Sequence, residues 1–285
     1  MTVRIERHQG WAELILASPQ NRNALSDGML AAISDAVLGL DADRGVNAIL
    51  LRAEGPDFCT GYFQNTGGRH GDQAHTTFDT DIAVLEIMQR HLLSIMDCHI
   101  PVVAQIHGRC TAGGTDLAFM CDIVYAAPDA RIGFPPARDI GSPPNPMWLY
   151  HIGPQWAKRL LLSGDLISGA DAARIGLVLK ALDEAGMQRE VVGLMKRFGR
   201  MDRDLLAAQK RSVGLGLELM GARTMLRFGP ELDARGHQSA IARSLMDASK
   251  PFDAKQLVAD RKEKFGDGML RVDEADPCDE EGRLI

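Results

Sequence analysis

PVVAQIHGRCTAGGTDLAFMCDIVYAA, residues 101–127, is the stretch whose reading decides the fold. PVVAQIHG (101–108) is an apolar run of strand length ending on glycine, and DIVYAA (122–127) is a second such run. Between them the paired glycines Gly113 and Gly114 lead into a short helix that the pattern starts at Thr115. That helix carries Asp116 into apolar company. An unpaired buried carboxylate is costly, so Asp116 must be compensated, protonated, or kept for a task.

The same alternation extends upstream. VRIERHQGWAELILAS reads as two strands around a turn at Gln9-Gly10. Leu25, Met29, Ile33, Val37 and Leu40 then recur at helical spacing, and AILLRAEG (48–55) is the next strand. This strand, helix and strand suggest a βαβ unit with a parallel sheet, so the fold class is α/β. Residues 62–81 are polar and glycine-containing and read as a mobile surface loop, followed by a helix over 82–96.

Downstream, FPPARDIGSPPNP (134–146) is too rich in proline for regular helix or central strand. Beyond Pro154 the pattern turns helical, with helices predicted over 187–199, 202–219, 231–247 and 255–264. The reading divides the chain into an α/β core at 1–185, a helical region at 186–266 and a loose acidic tail at 267–285.

Composition narrows the function. Of 285 residues 45% are hydrophobic and the net charge is −6, which leaves no basic footprint for nucleic acid. The sequence lacks the apolar core of a secretory signal at its start and any stretch of membrane-spanning length. Five scattered cysteines without CxxC pairing suggest reduced thiols in the cytoplasm and argue against a zinc site, so no metal is expected.

Two glycine turns follow strands: FCTGYF (58–63) after AILLRAEG, and TAGGTDL (111–117) after PVVAQIHG. Glycine permits close backbone approach, and a helix start points N–H groups outward. Two such turns converging would stabilise an oxyanion. The ordered motifs NRNAL (21–25), FCTGYF, the 101–127 stretch and GPQWAKRLLLSGDLISGADAARIGLV (153–178) resemble the crotonase superfamily of enoyl-CoA hydratases and isomerases, over about residues 3–264.

The resemblance implies a ββα spiral core with a helical C-terminal part that forms a homotrimer or a dimer of trimers. It implies an acyl-CoA thioester substrate whose oxygen is held by the backbone N–H groups of Thr60 and Gly113. It places Arg22 and Ala24 along the CoA nucleotide, Gly61 and Tyr62 near its adenine end, and Lys264 on the CoA phosphates. No cofactor is expected beyond the CoA of the substrate. Asp116, three residues past the oxyanion glycine, becomes the acid or base at carbons two and three. Without the resemblance it would read as a carboxylate satisfied by the N-terminus of its own helix.

The sequence departs from the family pattern in three places, the smallest being Ala112, where a glycine triplet is common. Pro136 stands where hydratases carry a second Glu, which leaves Asp139 as the possible second catalytic carboxylate or as a turn residue pairing with Arg138. In FCTGYF, Phe63 replaces an Asp that steadies the turn. Phe63 and Trp148 are candidates for the acyl pocket or for core, and His70 and His75 sit in the predicted loop beside its mouth. The expected activity is hydratase- or isomerase-like. One-carboxylate isomerisation, decarboxylation or carbon–carbon cleavage fits as well, and a non-catalytic acyl-CoA binding protein is the competing class. A protease-like site ranks last, because the nearest hydroxyls, Thr111 and Thr115, have no lysine beside them.

Overall fold

The computed structural model describes residues 2–62, 77–247 and 253–285. In chain order its elements are β1 (Val3–His8), β2 (Gly10–Leu16), α1 (Asp27–Ala42), β3 (Val46–Ala53), α2 (Phe78–Asp97), β4 (Val102–Ile106), β5 (Arg109–Thr111), α3 (Gly113–Ala118), β6 (Ile123–Ala126) and β7 (Arg131–Gly133). They continue as α4 (Trp148–Ser163), β8 (Leu166–Ser168), α5 (Gly169–Arg174), β9 (Lys180–Ala181), α6 (Glu184–Phe198), α7 (Arg203–Leu219), α8 (Ala222–His237), α9 (Ala240–Leu245), α10 (Ala254–Phe265) and β10 (Met269–Leu270).

Two sheets lie side by side in a spiral. The first runs β1-β2-β3-β4-β6-β9, antiparallel in the β1–β2 hairpin and parallel beyond it. The second runs β10-β8-β7-β5. The chain passes from β4 to β5 and from β6 to β7, one strand in each sheet, before each helix; this is the ββα repeat. Strand β3 explains why the runs look uniformly apolar. Ile49 and Leu51 face the main core, whereas Ala48 and Leu50 face a second cluster built with Met187, Val191 and Met195 of α6. A parallel strand covered on both faces needs apolar residues at every position.

Three expectations change. Helix α2 starts at Phe78, where the Thr77 hydroxyl accepts from Thr80 N–H at 3.2 Å, and not at residue 82. Helix α8 starts at Ala222 and runs through Pro230, whereas the sequence pattern predicts a helix only from residue 231. It persists because the Leu226 carbonyl, which Pro230 leaves without its helical N–H, accepts from Gln89 Nε2 at 2.7 Å. The third is the tail at 267–285, which is packed rather than loose. Met269 and Leu270 pair with β8, Leu284 is buried, and Leu284 N–H donates to Phe265 O. A few apolar residues sufficed, because β8 offered an open edge.

Candidate active site

NRNAL builds the first wall. After a 3-10 turn at Pro19–Asn21, Arg22 and Asn23 take left-handed backbone with φ of 50° and 53°. Asn tolerates that region better than most residues, and Asn23 uses its amide to lock the turn. Its Oδ1 accepts from Ser18 N–H at 2.9 Å, and its Nδ2 donates to Glu54 O at 2.8 Å and Asp57 O at 2.9 Å. The loop is thereby fastened to the chain leaving β3. Arg22 keeps an exposed guanidinium, with Nε 3.8 Å from the Asp57 carboxylate. Ala24 is half-buried beside it.

The first glycine turn lies against this loop. Thr60 N–H donates to Arg22 O at 3.2 Å, and Leu25 N–H donates to Gly61 O at 2.8 Å. The Thr60 N–H expected to hold a thioester oxygen is therefore already taken by Arg22. The peptide joining Gly61 and Tyr62 is trans, so its C=O and N–H point in opposite directions. With the Gly61 carbonyl turned to Leu25, the Tyr62 N–H is directed away from NRNAL. Gly61 has φ of 119°, and a Cβ there would stand 3.7 Å from Gly113 N and 3.0 Å from the Ala112 side chain, so the two turns converge.

The second turn is held by Ala112, whose φ of 52° is unusual for a residue with a side chain. Its N–H donates to Gly133 O, and its carbonyl accepts from Thr115 N–H at 2.9 Å and Asp116 N–H at 3.3 Å. The first bonds of α3 thus begin at Thr115, and the N–H groups of Gly113 and Gly114 precede them. Each glycine has its own reason. A Cβ on Gly114 would strike the Cys59 carbonyl oxygen at 2.4 Å, and one on Gly113 would meet the Tyr62 ring at 2.9 Å.

Asp116 is 1% exposed. Its Oδ2 accepts the phenol O–H of Tyr62 at 2.9 Å. Tyr62 therefore stands at the carboxylate, a correction to its expected place near the adenine end of CoA. The neighbouring thiols are not nucleophiles: burial pushes Cys59 up to about 12 and Cys110 higher than its ordinary value. Burial lowers His151, partly offset by its bond to Phe119 O at 3.3 Å.

The remaining expected residues disperse. Both oxygens of buried Asp139 are engaged by Arg261 of α10, Oδ2 by Nε at 2.6 Å and Oδ1 by Nη2. Asp139 thus ties a helix to the core rather than pairing with Arg138 or standing as a second acid. Arg138 turns to Asp165 at 2.6 Å and lies 4.4 Å above the Phe265 ring. Trp148 is fully buried, edge-on to Phe119 at 4.9 Å, so it packs as core behind α3. Lys264 is exposed on α10, its ammonium 5.2 Å from the Phe265 ring. Phe63, His70 and His75 lie outside the described residues. Among the described residues the one group with metal-ligand proximity is Glu6, His8 and Glu13 on the outer hairpin, where Arg52 already pairs with Glu13. Sequence reasoning passed over Asn23 as a fastener and Arg261 as the partner of Asp139. The phrase NRNAL drew notice to the first, while nothing local marks the second.

Two glycine turns converge beside a buried carboxylate on a ββα spiral, the fold of the enoyl-CoA hydratases and isomerases. The model of the enoyl-CoA hydratase/isomerase family matches residues 6–241, and the chain belongs to that family. It is 28% identical to the mitochondrial enoyl-CoA hydratase of Pongo abelii over 223 residues, covering 72% of this chain and 69% of that protein. It is 30% identical to the peroxisomal Delta(3,5)-Delta(2,4)-dienoyl-CoA isomerase of Arabidopsis thaliana over 178 residues, covering 59% and 63%. Its structure superposes on the crystal structure of an enoyl-CoA hydratase from Mycobacterium smegmatis with a TM-score of 0.86 at 30% identity, over 94% and 95% of the two chains.

Proposed function

We propose that this enzyme acts at carbons two and three of an acyl-CoA thioester, with Asp116 as the acid or base. The reading rests on one observation: a carboxylate 1% exposed stands three residues past Gly113, where the second glycine turn meets the first. The Gly113 N–H and the N–H of the 61–62 peptide would hold the thioester oxygen as it gains charge. Asp116 would move the proton that enolate formation releases. This chemistry asks for no group beyond these residues and the CoA of the substrate.

Pro136 in a 3-10 turn, and Asp139 engaged by Arg261, favour one-carboxylate chemistry over two-carboxylate hydration. Double-bond migration, or cleavage through an enolate, needs only Asp116 and the oxyanion donors. We assign Arg22 and Ala24 to the CoA nucleotide and Lys264 to its phosphates. Val213, Leu219, Met220 and Phe228 are exposed apolar residues of the C-terminal helical region, and we assign that region to contact within a homotrimer.

The test is a panel of enoyl-CoA and saturated acyl-CoA thioesters in D₂O, followed by mass spectrometry for wild type and Asp116→Asn. Deuterium entering carbon two without water addition, and lost in the variant with CoA binding retained, is the expected outcome. Water addition that survives Asp116→Asn would sink the assignment.

A further inference from the structure

Tyr62 is not accounted for by packing. Its ring lies flat against Gly113, where a Cβ would come within 2.9 Å of two ring carbons. A phenylalanine would fill that space as well and would leave no hydroxyl to satisfy. The hydroxyl instead reaches Asp116 Oδ2 at 2.9 Å, from a separate element 54 positions away in sequence. The backbone behind it is fixed, because Tyr62 bridges to Leu25 and the preceding carbonyl accepts from Leu25 N–H. Gly113 is itself constrained to glycine by this ring. Three features therefore place one phenol on one carboxylate oxygen: the glycine at 113, the turn at 61 and the NRNAL loop.

An ionised carboxylate only accepts, so the phenol donates. A hydrogen bond to the charged form of an acid favours that form and makes it a weaker base. We infer that Tyr62 is the positioning residue of Asp116, setting both the orientation of its carboxylate and the pH at which it takes up a proton. Such a partner suits a site where proline occupies the position of the second carboxylate. That catalytic significance rests on the reading of Asp116 as acid or base; the coupling between the two side chains does not.

The test reads the coupling directly. Carboxyl-¹³C aspartate is incorporated into the full-length protein, and the Asp116 resonance is assigned by its loss in Asp116→Asn. Its titration is then compared between wild type and Tyr62→Phe. Loss of a hydrogen bond to a charged group should move the Asp116 midpoint upward by about 1–2 pH units. A variant with 3-fluorotyrosine at position 62, a more acidic phenol of nearly the same shape, should move it the opposite way. It also keeps the question answerable if Tyr62→Phe fails to fold. An unchanged midpoint in the variants overturns the inference, since a merely packing tyrosine moves none of them.

Kinetics then separate the two readings. The acid limb of kcat/KM for deuterium exchange into butyryl-CoA and crotonyl-CoA should follow the NMR midpoint. A moved midpoint with an unmoved limb would retain the Tyr62–Asp116 coupling and refute Asp116 as the base.

Discussion

Asn23→Ala should damage this protein more than most single surface-loop changes. Asn23 is fully buried and makes three side-chain bonds, to Ser18 N–H, Glu54 O and Asp57 O, all between 2.8 and 2.9 Å. Alanine leaves one donor and two acceptors without that partner, each costing about 1–3 kcal/mol where water cannot replace it. It also places a Cβ without a local polar bond at φ of 53°, a region that costs roughly 1–2 kcal/mol for an ordinary residue. The vacated amide volume admits some water, so the sum is about 3–5 kcal/mol rather than the full total. Urea melts at neutral pH measure it. Asn23→Gly relieves the backbone cost but not the lost bonds, and should still lose about 3 kcal/mol. A loss below about 1 kcal/mol for Asn23→Ala would refute the claim that this amide fastens the loop. Because Arg22 O and Leu25 N–H hold the first glycine turn, KM for the CoA thioester should rise in any variant that stays folded.

Removing Arg261 strands the buried Asp139 carboxylate, so Arg261→Ala should cost about 3–5 kcal/mol in denaturant melts. Asp139→Asn should lower Tm while the folded enzyme keeps turning over, whereas a catalytic Asp139 would lose turnover with Tm unchanged. Native protein treated with a thiol-reactive disulfide at pH 8 should show one fast thiol, exposed Cys278. The other four are buried, with Cys59 and Cys98 pushed up to about 12, and should react only after unfolding. Burial raises Asp165, but hydrogen bonds from Arg159 and Ser163 outweigh it and hold its carboxyl below its ordinary 3.8. Its contribution is therefore complete above pH 3.8 and lost as pH falls through the lower folded value. The Tm difference between wild type and Asp165→Asn should be widest near neutrality and shrink below pH 3.8; a gap that grows with acid would contradict the pairing.

What the sequence determined by itself is the local part. Apolar runs of strand length, helical spacing from Met29 to Leu40 and glycines at strand ends are consequences of backbone geometry within a few residues, so they read directly. The paired glycines at 113 and 114 were legible as a turn, and Asp116 as a carboxylate in apolar company. Their reasons were not, because the atoms that exclude a Cβ belong to Tyr62 and Cys59 on another turn. The sequence pattern opens a helix only past Pro230 because it cannot show Gln89 bonding the Leu226 carbonyl that the proline leaves open. The tail looked loose because its few apolar residues find their partner in the distant β8 edge. Tertiary structure alone decided which carboxylate stands at the site. Asp139 and Asp116 are the same chemical group, but one meets a guanidinium from α10 and the other a phenol from the first glycine turn. A side chain's chemistry is set by what surrounds it in space, and those neighbours come from chain segments that local sequence does not join.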